Sequence, residues 1–212
     1  MKRSTRVKFC VVAAAIAAAS PVSVSAHFRL LEPASWLVED DRGDPQWAGP
    51  CGGTNTNWGT PSYAVTKVTG GATLHIKVQE TAYHPGFYRV ALAVNSPLEL
   101  PLDPKAETRD SDRGPISVSG AIQSPPQIPV LADGLFVHRT RPAGPMAPWE
   151  TDVRLPNVTC KRCILQIIQF MEEHSFNNPG GYTYHHCAAL EITADRTKAR
   201  DTGWPAEREQ TR

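Results

Sequence analysis

Apolar and polar residues alternate with a period of two in several separate stretches of this 212-residue chain, the pattern of strands with one buried face. Leu74, Ile76 and Val78 alternate with Thr73, His75, Lys77 and Gln79, and Val90, Leu92 and Val94 share one face of the next stretch. Residues 163–171 are the most apolar and predict a central strand. The segment from Tyr182 to Thr193 predicts another, with Cys187 inside it. No window of useful length carries a helical period. The 19 prolines and 15 glycines are scattered between the strand signals, where they punctuate turns. Short strands with turn-rich connections predict an all-β fold, an antiparallel β-sandwich of the immunoglobulin or fibronectin kind.

Three stretches stand outside this pattern. Residues 1–26 open with Lys2, Arg3, Arg6 and Lys8, run through an apolar stretch from Val11 to Ala19, and end in Val24-Ser25-Ala26. That is the layout of a cleavable signal peptide, and its apolar run is too short for a span of about 20 residues. Cleavage after Ala26 makes His27 the first residue of an exported or periplasmic protein with no membrane segment left. Residues 95–150 hold Pro125-Pro126, Pro129, Pro142, Pro145 and Pro148 and little strand signal beyond Leu135 to Val137. They read as a long proline-rich loop, functional or mobile. Residues 194–212 are charged and poor in large apolar side chains, and read as a disordered tail. The folded domain is therefore expected over 27–193.

Losing the leader changes the charge balance. Its four basic residues leave 18 Lys and Arg against 21 Asp and Glu, a net charge near −3. Nucleic acid asks for a clustered basic face, which is absent. The leader also takes Cys10, leaving Cys51, Cys160, Cys163 and Cys187. Four cysteines in an oxidising compartment predict two disulfides with three possible connectivities. Cys160-Lys161-Arg162-Cys163 lacks the βαβ context of a redox pair and reads as structural.

Three places carry candidate chemistry. An N-terminal His27 can hold a metal through its α-amine and ring Nδ1 together, and one more imidazole completes a T-shaped set of three nitrogens suited to Cu(II). His84 stands in Thr81-Ala82-Tyr83-His84-Pro85-Gly86, a tight reversal between two patterned strands, where a histidine by itself reads as a solvated loop residue. In Tyr182-Thr183-Tyr184-His185-His186-Cys187, alternation puts Tyr184 and His186 on one face and His185 with Cys187 on the other. Two neighbouring strand histidines cannot both point at one ion.

These residues, with Gly49-Pro50-Cys51-Gly52-Gly53 and Tyr184-x-x-Cys187-Ala188 in this order and spacing, resemble the lytic polysaccharide monooxygenases, closest to bacterial secreted proteins of that type. The resemblance runs from His27 to about Thr193. It implies a copper "histidine brace" in which His27 and His84 bind one copper ion and Tyr184 is the axial aromatic of the metal site. It also implies that His174 hydrogen-bonds the oxidant and that Gln169 orients the ligands. The expected disulfides are Cys51–Cys187 and Cys160–Cys163. The implied partners are a polysaccharide substrate and an external electron donor or peroxide, acting on a monomer. The long 95–150 segment and His185-His186 beside the axial tyrosine depart from the family pattern.

The remaining candidates have plainer readings. Trp36, Trp47 and Trp58 are candidate sugar-stacking aromatics or core; His75 and His138 read as solvated. Asn157-Val158-Thr159 fits a glycosylation sequon. Three functions stay open on the residues alone: a copper-dependent polysaccharide monooxygenase, a copper carrier with the same brace, and a metal-free interaction module.

Overall fold

The computed structural model describes residues 27–112 and 114–208; the leader expected over 1–26 and Cys10 lie outside the described residues. The fold is a β-sandwich. One sheet has the order β1–β3–β8, formed by His27–Glu32, Thr73–Ala82 and Trp149–Arg154. The facing sheet has the order β2–β10–β9–β4–β7, formed by Val65–Thr69, Thr183–Thr193, Cys160–Met171, Gly86–Ala93 and Val130–His138. All pairings are antiparallel except β2 with β10. No helix among the described residues is long and apolar enough to cross a membrane.

The core lies between the sheets. Phe28, Leu74, Ile76 and Val78 of the smaller sheet meet Tyr88, Val90, Leu92, Leu165, Ile167, Tyr184 and Leu190 of the larger one. Each large side chain buried there contributes on the order of 1.5–3 kcal/mol. Strand β4 is buried along its whole length, on both faces rather than the one its alternation suggested. Its outer face is covered too, since Phe87 stacks on Phe170 at 5.2 Å and Arg89 donates to the Leu102 carbonyl.

Both expected disulfides are present. Cys51–Cys187 joins an N-terminal loop to β10, and Cys160–Cys163 lies at the start of β9. The first spans 136 residues of sequence, a closure worth on the order of 4–5 kcal/mol by loop entropy.

The proline-rich segment differs from the long loop expected. It contains a 3₁₀ turn at Pro97–Glu99, a β5–β6 hairpin (Ala106–Arg109 with Ile116–Gly120), all of β7 and the first residues of β8. The tail also differs from expectation, because residues 195–201 are tied to the body around Asn157. The Asn157 side chain donates to the carbonyls of Asp195, Lys198 and Ala199, and the Asp201 carboxylate accepts from its backbone N–H. The same contacts overturn the sequon reading, since Asn157 is 1% exposed and its amide is fully engaged.

Candidate metal centre

Four of the singled-out residues gather at one end of the sandwich. His27 opens β1, His84 lies in the β3–β4 reversal, His174 follows β9, and Tyr184 is the second residue of β10. All are buried. Ring contacts link them in series: His27 to Tyr184 at 5.2 Å, Tyr184 to His174 at 6.4 Å, and His174 to His84 at 4.8 Å. Trp47 closes over the same tyrosine at 5.9 Å. The reversal brings His84 into place because Gly86 lies against β9, where any Cβ would overlap the Phe170 carbonyl.

The two rings of the proposed brace are set differently. His27 Nε2 lies 3.1 Å from Asp44 Oδ2, and its Nδ1 lies 3.2 Å from Arg42 Nη2. A carboxylate only accepts and a guanidinium only donates. The His27 ring therefore carries its proton on Nε2 and its lone pair on Nδ1. Burial works against the Asp44 charge, but hydrogen bonds from His27 and Trp47 and the Arg42 charge outweigh it and hold the carboxyl below its usual value. This is the tautomer that an amine-plus-Nδ1 chelate needs.

His84 is uncharged at neutral pH: burial first, then the adjacent His174, pulls it down to about 4. The carbonyls of Pro85 and Glu172 lie near the ring, yet no aligned hydrogen bond reaches its buried Nδ1. His174 donates from Nδ1 to the Ser175 carbonyl, leaving Nε2 with the lone pair. Burial lowers its pKa as well. Burial thus favours the neutral form of both His84 and His174, the form in which an imidazole can bind a cation. No group of three or more His, Cys, Asp or Glu side chains among the described residues could hold a metal ion; a brace takes its third donor from the main chain.

Behind His84 lies a network that the sequence reading missed. Tyr88 Oη, Gln169 Nε2 and His138 Nε2 all reach Glu80 Oε1, at 3.1, 2.9 and 2.9 Å. His138 Nε2 also donates to the His84 carbonyl at 2.7 Å, and its Nδ1 donates to the Phe136 carbonyl at 2.6 Å. With both nitrogens donating, His138 is an imidazolium paired with Glu80. Burial opposes that charge, but Glu80 and the two carbonyls outweigh it and raise the pKa. The solvated reading of His138 is thus corrected: it is buried and stacked on Trp149 at 5.3 Å. Gln169 belongs to this network and not to the ring cluster itself. One signal was available, because Glu80 follows Leu74, Ile76 and Val78 on the inward register of β3.

The 95–150 segment supplies much of the support. Strand β7 carries His138 and β8 carries Trp149. Ser117 of β6 holds the His174 loop through its own N–H to the His174 carbonyl (3.0 Å), and its hydroxyl accepts from the His174 N–H (3.1 Å).

The other candidates fall elsewhere. His186 shares the Tyr184 face as expected but turns inward, with Nε2 donating to the Phe28 carbonyl and Nδ1 3.1 Å from Glu39. His185 faces the opposite side and meets Asp103 at 2.8 Å. His75 lies exposed between Asp152 and Glu150 on β8. Trp36 and Trp47 are half-buried, whereas Trp58 is 71% exposed.

No protein-family profile matches the chain, and no curated protein matches it. Among solved structures the chain is similar to the lytic polysaccharide monooxygenase AA15 from Thermobia domestica in the Cu(I) state, at 18% identity over 78% of this chain and 98% of that one, with a TM-score of 0.43.

Proposed function

We propose that the mature chain, beginning at His27, is a secreted copper-dependent monooxygenase acting on a polysaccharide. The observation that carries the reading is the His27 ring. It follows the predicted cleavage site directly, sits buried in a cluster with Tyr184, His174 and His84, and presents Nδ1 as a lone pair. After cleavage His27 offers its α-amine and Nδ1, and His84 offers the third nitrogen. A copper ion held there supplies one-electron chemistry with O₂ or peroxide, driven by an external reductant, for oxidation of a glycosidic C–H bond.

The chain's own residues supply the rest. Tyr184 packs beneath the His27 ring and keeps water from that side. His174 keeps an Nε2 lone pair beside His84, which would accept a hydrogen bond from peroxide. His138 fixes the backbone of His84 from behind. Two disulfides support an oxidising destination, since such bonds persist outside the cytosol.

The test is a product screen on chitin, cellulose and xylan, using copper-loaded mature protein with reductant and peroxide. Oxidised oligosaccharides from one polymer are expected, and none from His84→Ala. Stoichiometric copper binding without oxidised product from any polymer would favour a carrier. No copper binding at all would leave the metal-free module.

A further inference from the structure

The loop from Asp40 to Asp44 grips the His27 ring from both nitrogens. Asp44 takes the Nε2 proton, and Arg42 donates to the Nδ1 lone pair. The loop backbone that carries both residues is held in place. Asp40 Oδ1 accepts from the N–H groups of Arg42 and Asp44, at 2.8 and 2.9 Å, and its carbonyl accepts from Gly43. Thr81 of β3 donates to the Arg42 carbonyl at 2.7 Å. Gly43, at φ +97°, lies so close to β1 that a Cβ would overlap the Phe28 carbonyl. Side chains of L residues rarely adopt that φ, so the position suits glycine on both counts.

A lone pair on Nδ1 cannot serve a guanidinium and a metal ion together. We propose, on the brace reading given above, that Arg42 is a placeholder for the metal. Its guanidinium occupies the Nδ1 position until a cation takes that lone pair. It thereby holds the metal-free ring in the orientation and tautomer that the metal needs. Arg42 is itself exposed, so the guanidinium can swing into water when displaced. Its backbone stays fixed by Asp40 and Thr81, which keeps a positive charge close to the bound ion.

Two consequences follow. Displacing Arg42 weakens cation binding by about the worth of one charge-assisted hydrogen bond at a partly exposed site, roughly tenfold. The residual positive charge also disfavours Cu(II) more than Cu(I), because Coulomb repulsion scales with the charge of the ion. Arg42 is thus a positioning residue that tunes affinity and potential from the loop.

The experiment compares mature protein starting at His27 with Arg42→Gln and Arg42→Lys, by Cu(II) titration, Cu(I) competition and redox potentiometry. Arg42→Gln is expected to bind Cu(I) about tenfold more tightly and Cu(II) more tightly still, because it also loses the repulsive charge. For a one-electron couple, a full tenfold difference between the two lowers the potential by about 59 mV. Arg42→Lys, which keeps the charge and loses the fork, is expected to keep a potential near that of the unmodified protein. Matching thermal melts without metal establish that the fold is intact. Equal affinities and potentials in Arg42→Gln and the unmodified protein would overturn the placeholder while leaving the brace in place. Failure of the unmodified mature protein to bind copper would overturn the brace, and the placeholder with it.

Discussion

His84 is held from behind by a buried charged network, whereas His27 is held from the side by a five-residue surface loop. On the His84 side, Glu80 and His138 are 2% and 8% exposed, and every hydrogen bond between them lies inside the sandwich. On the His27 side, Asp44 is half-buried and Arg42 is exposed. A buried ion pair is all or nothing, because removing one partner leaves the other charge without water or counter-ion. A surface contact can be lost, exchanged or screened at modest cost. The difference suggests a division of labour: one ring is fixed in space by the fold, and the other is tuned by an adjustable clamp.

Glu80→Ala should break the first half of that comparison and give the largest effect. It strands the His138 imidazolium and two further donors, and the expected loss is about 3–5 kcal/mol by urea denaturation. Adding His138→Ala to Glu80→Ala should recover part of that loss, giving a coupling energy in a double-mutant cycle. Additive costs would show that the pair does not act as a unit.

A second substitution asks whether the His27 side has a buried charge of its own. Glu39 lies under β1 against the Leu30 N–H and His186 Nδ1, with Arg29, Ser35 and Asp40 nearby. Burial raises its carboxyl to about 7, against the lowering pull of Ser35, Leu30 and Arg29. The folded protein therefore holds this proton more tightly than the unfolded chain, whose carboxyl titrates near 4.5. The stability involved is present below pH 4.5 and is lost as pH rises through 7. Compared with Glu39→Gln, the unmodified protein should lose on the order of 1–3 kcal/mol across that window. Parallel stability profiles for the two proteins would contradict the assignment.

Asp44→Ala should have the smallest effect on stability, under about 1 kcal/mol. Its mark lies in the ring it releases. In the metal-free mature protein, the ¹⁵N shifts of His27 should report a single Nε2–H tautomer, and in Asp44→Ala a mixture. An unchanged tautomer would remove Asp44 from the clamp.

The same contrast separates what the sequence reveals from what it hides. Strands β3, β9 and β10 were legible because their apolar residues keep a strict period or form a continuous run. Strand β7 was not. Its pairing with β4 slips three times between Gly86 and Ala91, and Phe136 takes a φ of +52°. Such irregularities erase the alternation that marks a strand. His138 was lost with it, since its burial depends on that irregular edge strand. His27, His84 and Tyr184 were legible through local motifs, and the structure brings them to one end. Asp44 and Arg42 were not, because nothing in Asp40-Asp41-Arg42-Gly43-Asp44 marks the loop as folding back onto the first strand. Only the close approach of Gly43 to Phe28 brings those charges to the ring.

The brace needs the α-amine of His27 itself, and Cu(II) titration with electron paramagnetic resonance tests that most directly. Two forms are compared, one beginning at His27 and one carrying Gly-Ser ahead of it. The extension turns the amine into an amide and should leave the rest of the fold alone. The prediction is one tightly bound Cu(II) in the authentic form, with a three-nitrogen spectrum and metal-induced thermal stabilisation. The extended form should bind far more weakly while melting at the same temperature without metal. Equal copper affinity in both forms would contradict the brace.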